Sequence, residues 1–159
     1  MFLTRIHIFC FVASYVVALL LEASRLFFRV PVRLAVTAAF TAAGLFAHVV
    51  FIALRGTANP RQAPPLSGWF DWLLMLAAGV ALFYLVTMLR RPQTALGIFL
   101  LPLVLLLIGM ASRFRDAVPF PRSEAVRVWG MLHGVSLLAG TVVVTLGLVA
   151  GVMYLLQSY

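Results

Sequence analysis

The stretch LAVTAAFTAAGLFAHVVFIAL, residues 34–54, decides the fold, because it is a long, mostly apolar run in which His48 is the only ionisable residue. A helix needs roughly 20 mostly apolar residues to cross about 30 Å of hydrocarbon. Other apolar runs of similar kind surround this stretch, separated by breaks rich in arginine, proline and glycine; the predicted spans lie near 6–28, 34–54, 69–89, 95–111 and 128–156. The sequence therefore predicts an all-α protein, a polytopic bundle of about five transmembrane helices in a single domain over residues 1–159.

The composition excludes a water-soluble globule, since 64% of the residues are hydrophobic and only 10% are charged. The net charge of +8 comes from twelve cationic residues, all arginines, against four acids. Most arginines fall in loops or at span ends, which favours contact with anionic lipid headgroups over nucleic-acid binding. The single Cys10 rules out both an intrachain disulfide and a Cys-x-x-Cys-His attachment site for covalent haem.

Two of the three histidines lie inside predicted spans, where an ionisable side chain is costly and marks a functional candidate. Each shares a helical face with small and hydroxyl residues, which are typical of helix contacts in membranes. On the second span this face comprises Thr37, Thr41, Gly44 and His48. On the fifth span it comprises His133, Ser136, Gly140, Gly147 and Gly151. Both histidines are therefore predicted to point into the bundle.

The two histidines are also predicted to lie at the same depth. His48 lies six residues before the end of its span and His133 six residues after Arg127, on the same membrane side, which places both about 9 Å inside that face. Such a pair suits haem, whose iron takes axial histidines and whose propionates favour nearby arginines. We therefore expect a non-covalent, b-type haem whose iron is bound by His48 and His133. The plainer alternative is that each histidine forms a hydrogen bond to a neighbouring helix. A zinc site is not predicted, because no cluster of carboxylates or thiolates accompanies the two histidines.

The segment 64–72, which leads into the third span, adds three candidate residues. Asp71 in the first turn of the helix complements the helix dipole, and Trp69 and Trp72 are suited to the headgroup level. This accounts for stability. The functional interpretation makes Trp69, Trp72 and Asp71 an outer lip of the haem site, because the segment lies on the membrane face that holds both histidines.

The remaining titratable residues of the spans carry less information. Glu22 and Arg25, three residues apart, are predicted to form a local ion pair and nothing more. His7, at the start of the first span, is predicted to be interfacial. The spans contain no nucleophile–base pair and no paired carboxylates, so we expect that the protein is not an enzyme.

Several segments resemble the cytochrome c assembly family of membrane proteins, of the CcsA, HemX and CcmC types. The resemblance covers about residues 34–157 and rests on His48 and on the segments 65–71 (PLSGWFD), 101–103 (LPL), 129–134 (WGMLHG) and 151–157 (GVMYLLQ). Asp71 stands where the family often has glutamate. The tryptophan-rich segment of the family and the helices beyond it have no counterpart here. The resemblance therefore predicts a truncated or partial member that matches the N-terminal portion of the family.

The resemblance implies a component of cytochrome c maturation that delivers or presents haem at the outer membrane face. It matches His133 to an outward-facing histidine of the family and His48 to one in an earlier span. It also implies a bacterial inner membrane location, an N-terminus outside, and other maturation subunits and apocytochrome c as partners. Two alternatives stay open from the residues alone: a cofactor-free membrane subunit or transporter half, and an electron carrier with permanently bound b-type haem.

Overall fold

The computed structural model describes residues 8–26, 32–58, 68–92, 95–115 and 127–158, and these ranges are helical apart from short turns. Along the chain the elements are α1 (Ile8–Ala23), a 3-10 helix (Ser24–Leu26), α2 (Arg33–Ala58), α3 (Trp69–Arg90), α4 (Gly97–Arg113) and α5 (Arg127–Ser158). The predicted all-α class is confirmed. Each predicted span overlaps one α-helix, because continuous apolar runs bounded by Arg, Pro and Gly already define where a membrane helix begins and ends.

Within the described ranges, three helices have the length and composition to cross a bilayer, and the qualifying segments are Arg33–Arg55, Trp69–Arg90 and Leu132–Ser158. The other two apolar helices are shorter, with 16 residues in α1 and 17 in α4. The chain is therefore a helical membrane protein, as its composition predicts.

The first four helices form a ring in which α1 and α3 each pack against both α2 and α4. The apolar core inside the ring comes from α1, α3 and α4; its least exposed members include Phe11, Tyr15, Leu74, Val80, Leu100 and Val104. The fully buried residues of helix α2 are small or polar instead, with Thr37 1%, Thr41 0% and His48 0% exposed, whereas its larger apolar residues are only partly buried against the core. The predicted inward face of α2 is thus confirmed.

Helices α1 and α2 approach each other closely beside Gly44. A Cβ atom at that position would lie 3.0 Å from the Cβ of Ser14 and 3.2 Å from a ring carbon of Tyr15. A glycine in a membrane helix permits this approach, and the dispersion contacts that result stabilise the pair. The close contact presses the histidine-bearing face of α2 onto α1.

Helix α5 packs outside the ring, and its main contacts are with α3. The predicted inward face of α5 is wrong: His133, Ser136, Gly140, Gly147 and Gly151 are all exposed. The face that packs carries large apolar residues, namely Leu138, Val142, Leu146 and Val149.

The physical reason is that the glycines at the contact between α3 and α5 lie opposite large side chains, and not opposite other small residues. A Cβ atom at Gly79 of α3 would come within 2.8 Å of Val142, and one at Gly134 of α5 would come within 3.2 Å of the Trp72 ring. Glycine on one helix accommodates a bulky side chain from the other. Gly140, Gly147 and Gly151, where a Cβ atom would meet no neighbouring atom within 4 Å in the described structure, are therefore not needed for the contact of α5 with α3.

Candidate functional site

His48 is the most deeply enclosed of the predicted site residues. It lies on the face of α2 that packs on α1, and none of its surface is exposed. The Phe11 ring stacks on the imidazole, with ring centroids 4.4 Å apart and an interplanar angle of 1°. The ring of Phe51, one turn along α2 from His48, also packs on Phe11, with the two ring centroids 5.6 Å apart. The imidazole therefore lies in an aromatic layer between two helices.

The two ring nitrogens of His48 differ in their surroundings. Nδ1 lies 3.4 Å from the hydroxyl of Tyr15, which is itself fully buried. Nε2 is buried and has no hydrogen-bond partner in the part of the chain that the structure describes. If Nδ1 donates its proton to the Tyr15 oxygen, Nε2 keeps an unshared lone pair, which is the arrangement found in metal-binding histidines. A buried nitrogen in this state requires a ligand or a further donor.

The predicted lip begins with Asp71, which the structure joins to α2. The Arg55 Nε atom lies 3.1 Å from an Asp71 carboxylate oxygen, and the arginine side chain is 37% exposed against 15% for the aspartate. The guanidinium group also lies 4.3 Å above the centroid of the Phe70 ring, which is buried. The ion pair and the cation–π contact hold the end of α2 against the start of α3.

We expect the Arg55–Asp71 pair to contribute about 0.5–1 kcal/mol, because it is only partly buried. A double-mutant cycle of Arg55→Gln and Asp71→Asn, measured as the free energy of unfolding in mixed detergent micelles, should return a coupling of that size. The matched control combines Asp71→Asn with Arg113→Gln, which replaces an exposed arginine of α4. Those two changes should be additive. Equal coupling in both cycles would show that the first value reflects net charge alone.

The two tryptophans of the lip occupy different positions. Trp69 is 57% exposed at the first residue of α3, where an aromatic side chain suits the headgroup level. Trp72 is half-buried, and its ring packs against Gly134 of α5. The lip therefore links α3 to two of its neighbours at this end of the bundle, to α2 through Asp71 and to α5 through Trp72.

His133 lies at the same end of the bundle as His48. The residue after His133, Gly134, packs on Trp72 in the first turn of α3, and Arg55, about two turns after His48 on α2, pairs with Asp71 in that same turn. The His133 side chain is nevertheless exposed on α5, outside the ring. His48 faces α1, whereas α5 is held mainly by α3. The structure therefore confirms the common end but does not bring the two imidazoles together. A bis-histidine haem inside the ring does not fit this arrangement.

The burial of Glu22 was not predicted from the sequence. Glu22 does pair with Arg25, at 3.5 Å, as predicted. It is also only 6% exposed and lies against Tyr84 of α3 and Gly97 of α4. The available signal was the carboxyl group inside an apolar run, which a bilayer tolerates only when it faces the bundle interior. The i, i+3 spacing to an arginine drew attention to the helix surface instead.

Two further predictions concern parts of the chain outside the described ranges. His7 precedes α1, and Pro65, Leu66 and Ser67 precede Gly68, so the structure describes neither the interfacial position nor the Pro-Leu-Ser motif. Among the residues that are described, no group of three or more His, Cys, Asp or Glu side chains could hold a metal ion. Comparison with protein-family models, with curated proteins and with solved structures found no match to this chain.

Proposed function

We propose that this chain is a haem-handling membrane component of cytochrome c maturation, with His48 as the principal iron-binding residue. The observation that carries the proposal is the Nε2 atom of His48, which is buried in the bundle without a hydrogen-bond partner among the described residues. A buried polar nitrogen left unsatisfied costs about 1–3 kcal/mol. An axial bond to haem iron would satisfy it, and haem bound there could be passed to a maturation partner.

The surroundings of His48 support the proposal in two ways. Tyr15 beside Nδ1 can hold the imidazole in the tautomer that leaves Nε2 available for a metal. Phe11 and Phe51 supply the apolar contacts that a macrocycle requires. Because His48 is fully buried, an iron atom reaches Nε2 only if neighbouring helices separate locally. Binding is therefore expected to be slow and to depend on the α1–α2 contact.

His133 has a separate role in this proposal. Its imidazole is exposed at the same end of the bundle, on the outer side of α5. It can therefore contact a group that approaches from outside the ring. The proposal places this end at the outer face of a bacterial inner membrane, with the N-terminus on that side and with maturation subunits and apocytochrome c as partners.

The test is the Soret absorption of the purified protein in detergent after haem is added. We expect a Soret band in the wild type and none above the free-haem background in His48→Ala. His133→Ala is the matched control, and it should retain the band because His133 does not face His48. Equal bands in the wild type and His48→Ala, or a wild type that stays colourless, would contradict the proposal.

A cofactor-free membrane subunit is the second candidate, and the exposed face of α5 favours it. Among the described residues of that face, His133 and the spaced glycines have no partner helix in this chain, although such residues commonly mediate helix association. Under this function the wild type stays colourless with added haem, whereas His133→Leu loses a complex that is seen on a native gel with the wild type.

A further inference from the structure

Glu22 occupies a junction of three helices at the opposite end of the bundle from His48. It lies seven residues along α1 from Tyr15, the residue beside His48, which is about 10 Å of helix. The residue is 6% exposed, and Tyr84 of α3 is 2% exposed. A carboxyl group is therefore held in the interior of a membrane bundle, where ionisable side chains are rare and functional.

Gly97 provides the space for this group. A Cβ atom at Gly97 would lie 2.6 Å from Glu22 Cγ, 2.9 Å from Glu22 Cδ and 2.7 Å from the Tyr84 hydroxyl oxygen. The carboxyl group and the phenol therefore lie side by side in the volume that a side chain on α4 would fill. The Tyr84 hydroxyl is buried beside the Glu22 carboxyl group and forms no hydrogen bond with any other side chain in the described ranges. The hydroxyl can therefore donate to the Glu22 carboxyl group or accept from it, according to whether that group is ionised or protonated.

Arg25 neutralises Glu22 from the membrane surface. A guanidinium nitrogen lies 3.5 Å from one carboxylate oxygen, and the arginine side chain is 33% exposed against 7% for the glutamate. The arginine can turn towards lipid headgroups, because its side chain is long and partly exposed. The glutamate cannot follow. An ionised carboxylate left alone in an apolar interior is costly enough that the group becomes neutral instead.

We propose that Glu22 is a proton-binding site, which takes up one proton from the adjacent aqueous face when Arg25 turns away. The Tyr84 hydroxyl suits both states, since it can donate to the carboxylate and accept from the carboxylic acid. Within the described ranges, the charged and titratable groups beside Glu22 at the junction are Arg25 from the 3-10 helix and Tyr84 from α3, while α4 contributes Gly97. Arg33, at the start of α2, lies at the same end of the bundle. The site does not depend on haem.

Infrared spectroscopy of the full chain in lipid, without haem, tests the proposal. The chain has only four acids, so the carbonyl stretch of a protonated carboxyl group can be assigned by substitution. We expect Arg25→Gln to gain this band at neutral pH and the double variant Arg25→Gln/Glu22→Gln to lose it completely. Adding Tyr84→Phe to Arg25→Gln should move the band to higher frequency, because a hydrogen bond is removed.

Two controls separate the site from a general effect of arginine loss. Arg25→Lys keeps the positive charge and should not gain the band. Arg55→Gln removes the partner of Asp71, whose side chain is 15% exposed, and should not gain it either, since water reaches that carboxylate. Circular dichroism reports whether each variant keeps its helices. A folded Arg25→Gln protein without a Glu22-dependent band at neutral pH overturns the proposal.

Discussion

Replacing Gly97 by valine is expected to destabilise the bundle by at least about 3 kcal/mol. The Cβ atom alone would come within 2.6 Å of Glu22 Cγ and 2.7 Å of the Tyr84 oxygen, and valine adds two methyl groups beyond it. Neither neighbour can move aside easily, because both are buried where three helices meet. Relief of the clash would require α4 to shift away from α1 and α3, with loss of their packing.

The measurement is the free energy of unfolding in mixed detergent micelles. The matched control is Gly109→Val, which makes the same substitution in the same helix, at a position where a Cβ atom would meet no neighbouring atom within 4 Å in the described structure. It should change the stability by less than about 0.5 kcal/mol. Similar losses in the two variants would mean that helix propensity, and not the crowded junction, determines the effect.

Phe11→Ala is expected to cost about 2–3 kcal/mol of stability and to weaken haem binding at His48. Phe11 is fully buried and contacts both His48 and Phe51. The cost is lower than for a similar change in a soluble protein, because lipid tails are as apolar as the protein interior and only the packing contacts are lost. The imidazole would also lose the ring that fixes its plane.

Phe9→Ala is the control for this substitution. Phe9 is two residues away on the same helix and is 83% exposed, so its removal creates no cavity. Its effect on unfolding and on the Soret band should be small. If Phe9→Ala and Phe11→Ala lowered the stability and the haem absorbance equally, the aromatic layer around His48 would not be the structural support that the contacts indicate.

The helices and the buried face of α2 could be predicted from the sequence. Spans predicted from apolar runs correspond to the helices, and the spacing of Thr37, Thr41, Gly44 and His48 identified the buried face of α2. These features depend on residues within one helix, and the periodicity of a helix is fixed at 3.6 residues per turn. The position of Asp71 in the first turn of α3 was accessible in the same way.

The candidate site could be predicted only in part. The sequence placed His48 in the interior and both histidines at one end, but it wrongly turned His133 inward. A helix that is apolar all round gives little indication of which side meets a neighbour, since every side is compatible with lipid or protein. The glycines on α5 do recur on one helical face, but that face is not the one that contacts α3.

The sequence by itself determined a membrane protein of apolar helices, the approximate ends of those helices, and the face of α2 that carries His48. Only the tertiary structure decided which helices are neighbours. It closed α1 to α4 into a ring, left α5 outside, paired Arg55 with Asp71 and brought Glu22 beside Tyr84 at Gly97. The physical reason is that hydropathy and helical periodicity are local, whereas helix pairing depends on how side chains from distant segments fill each other's space.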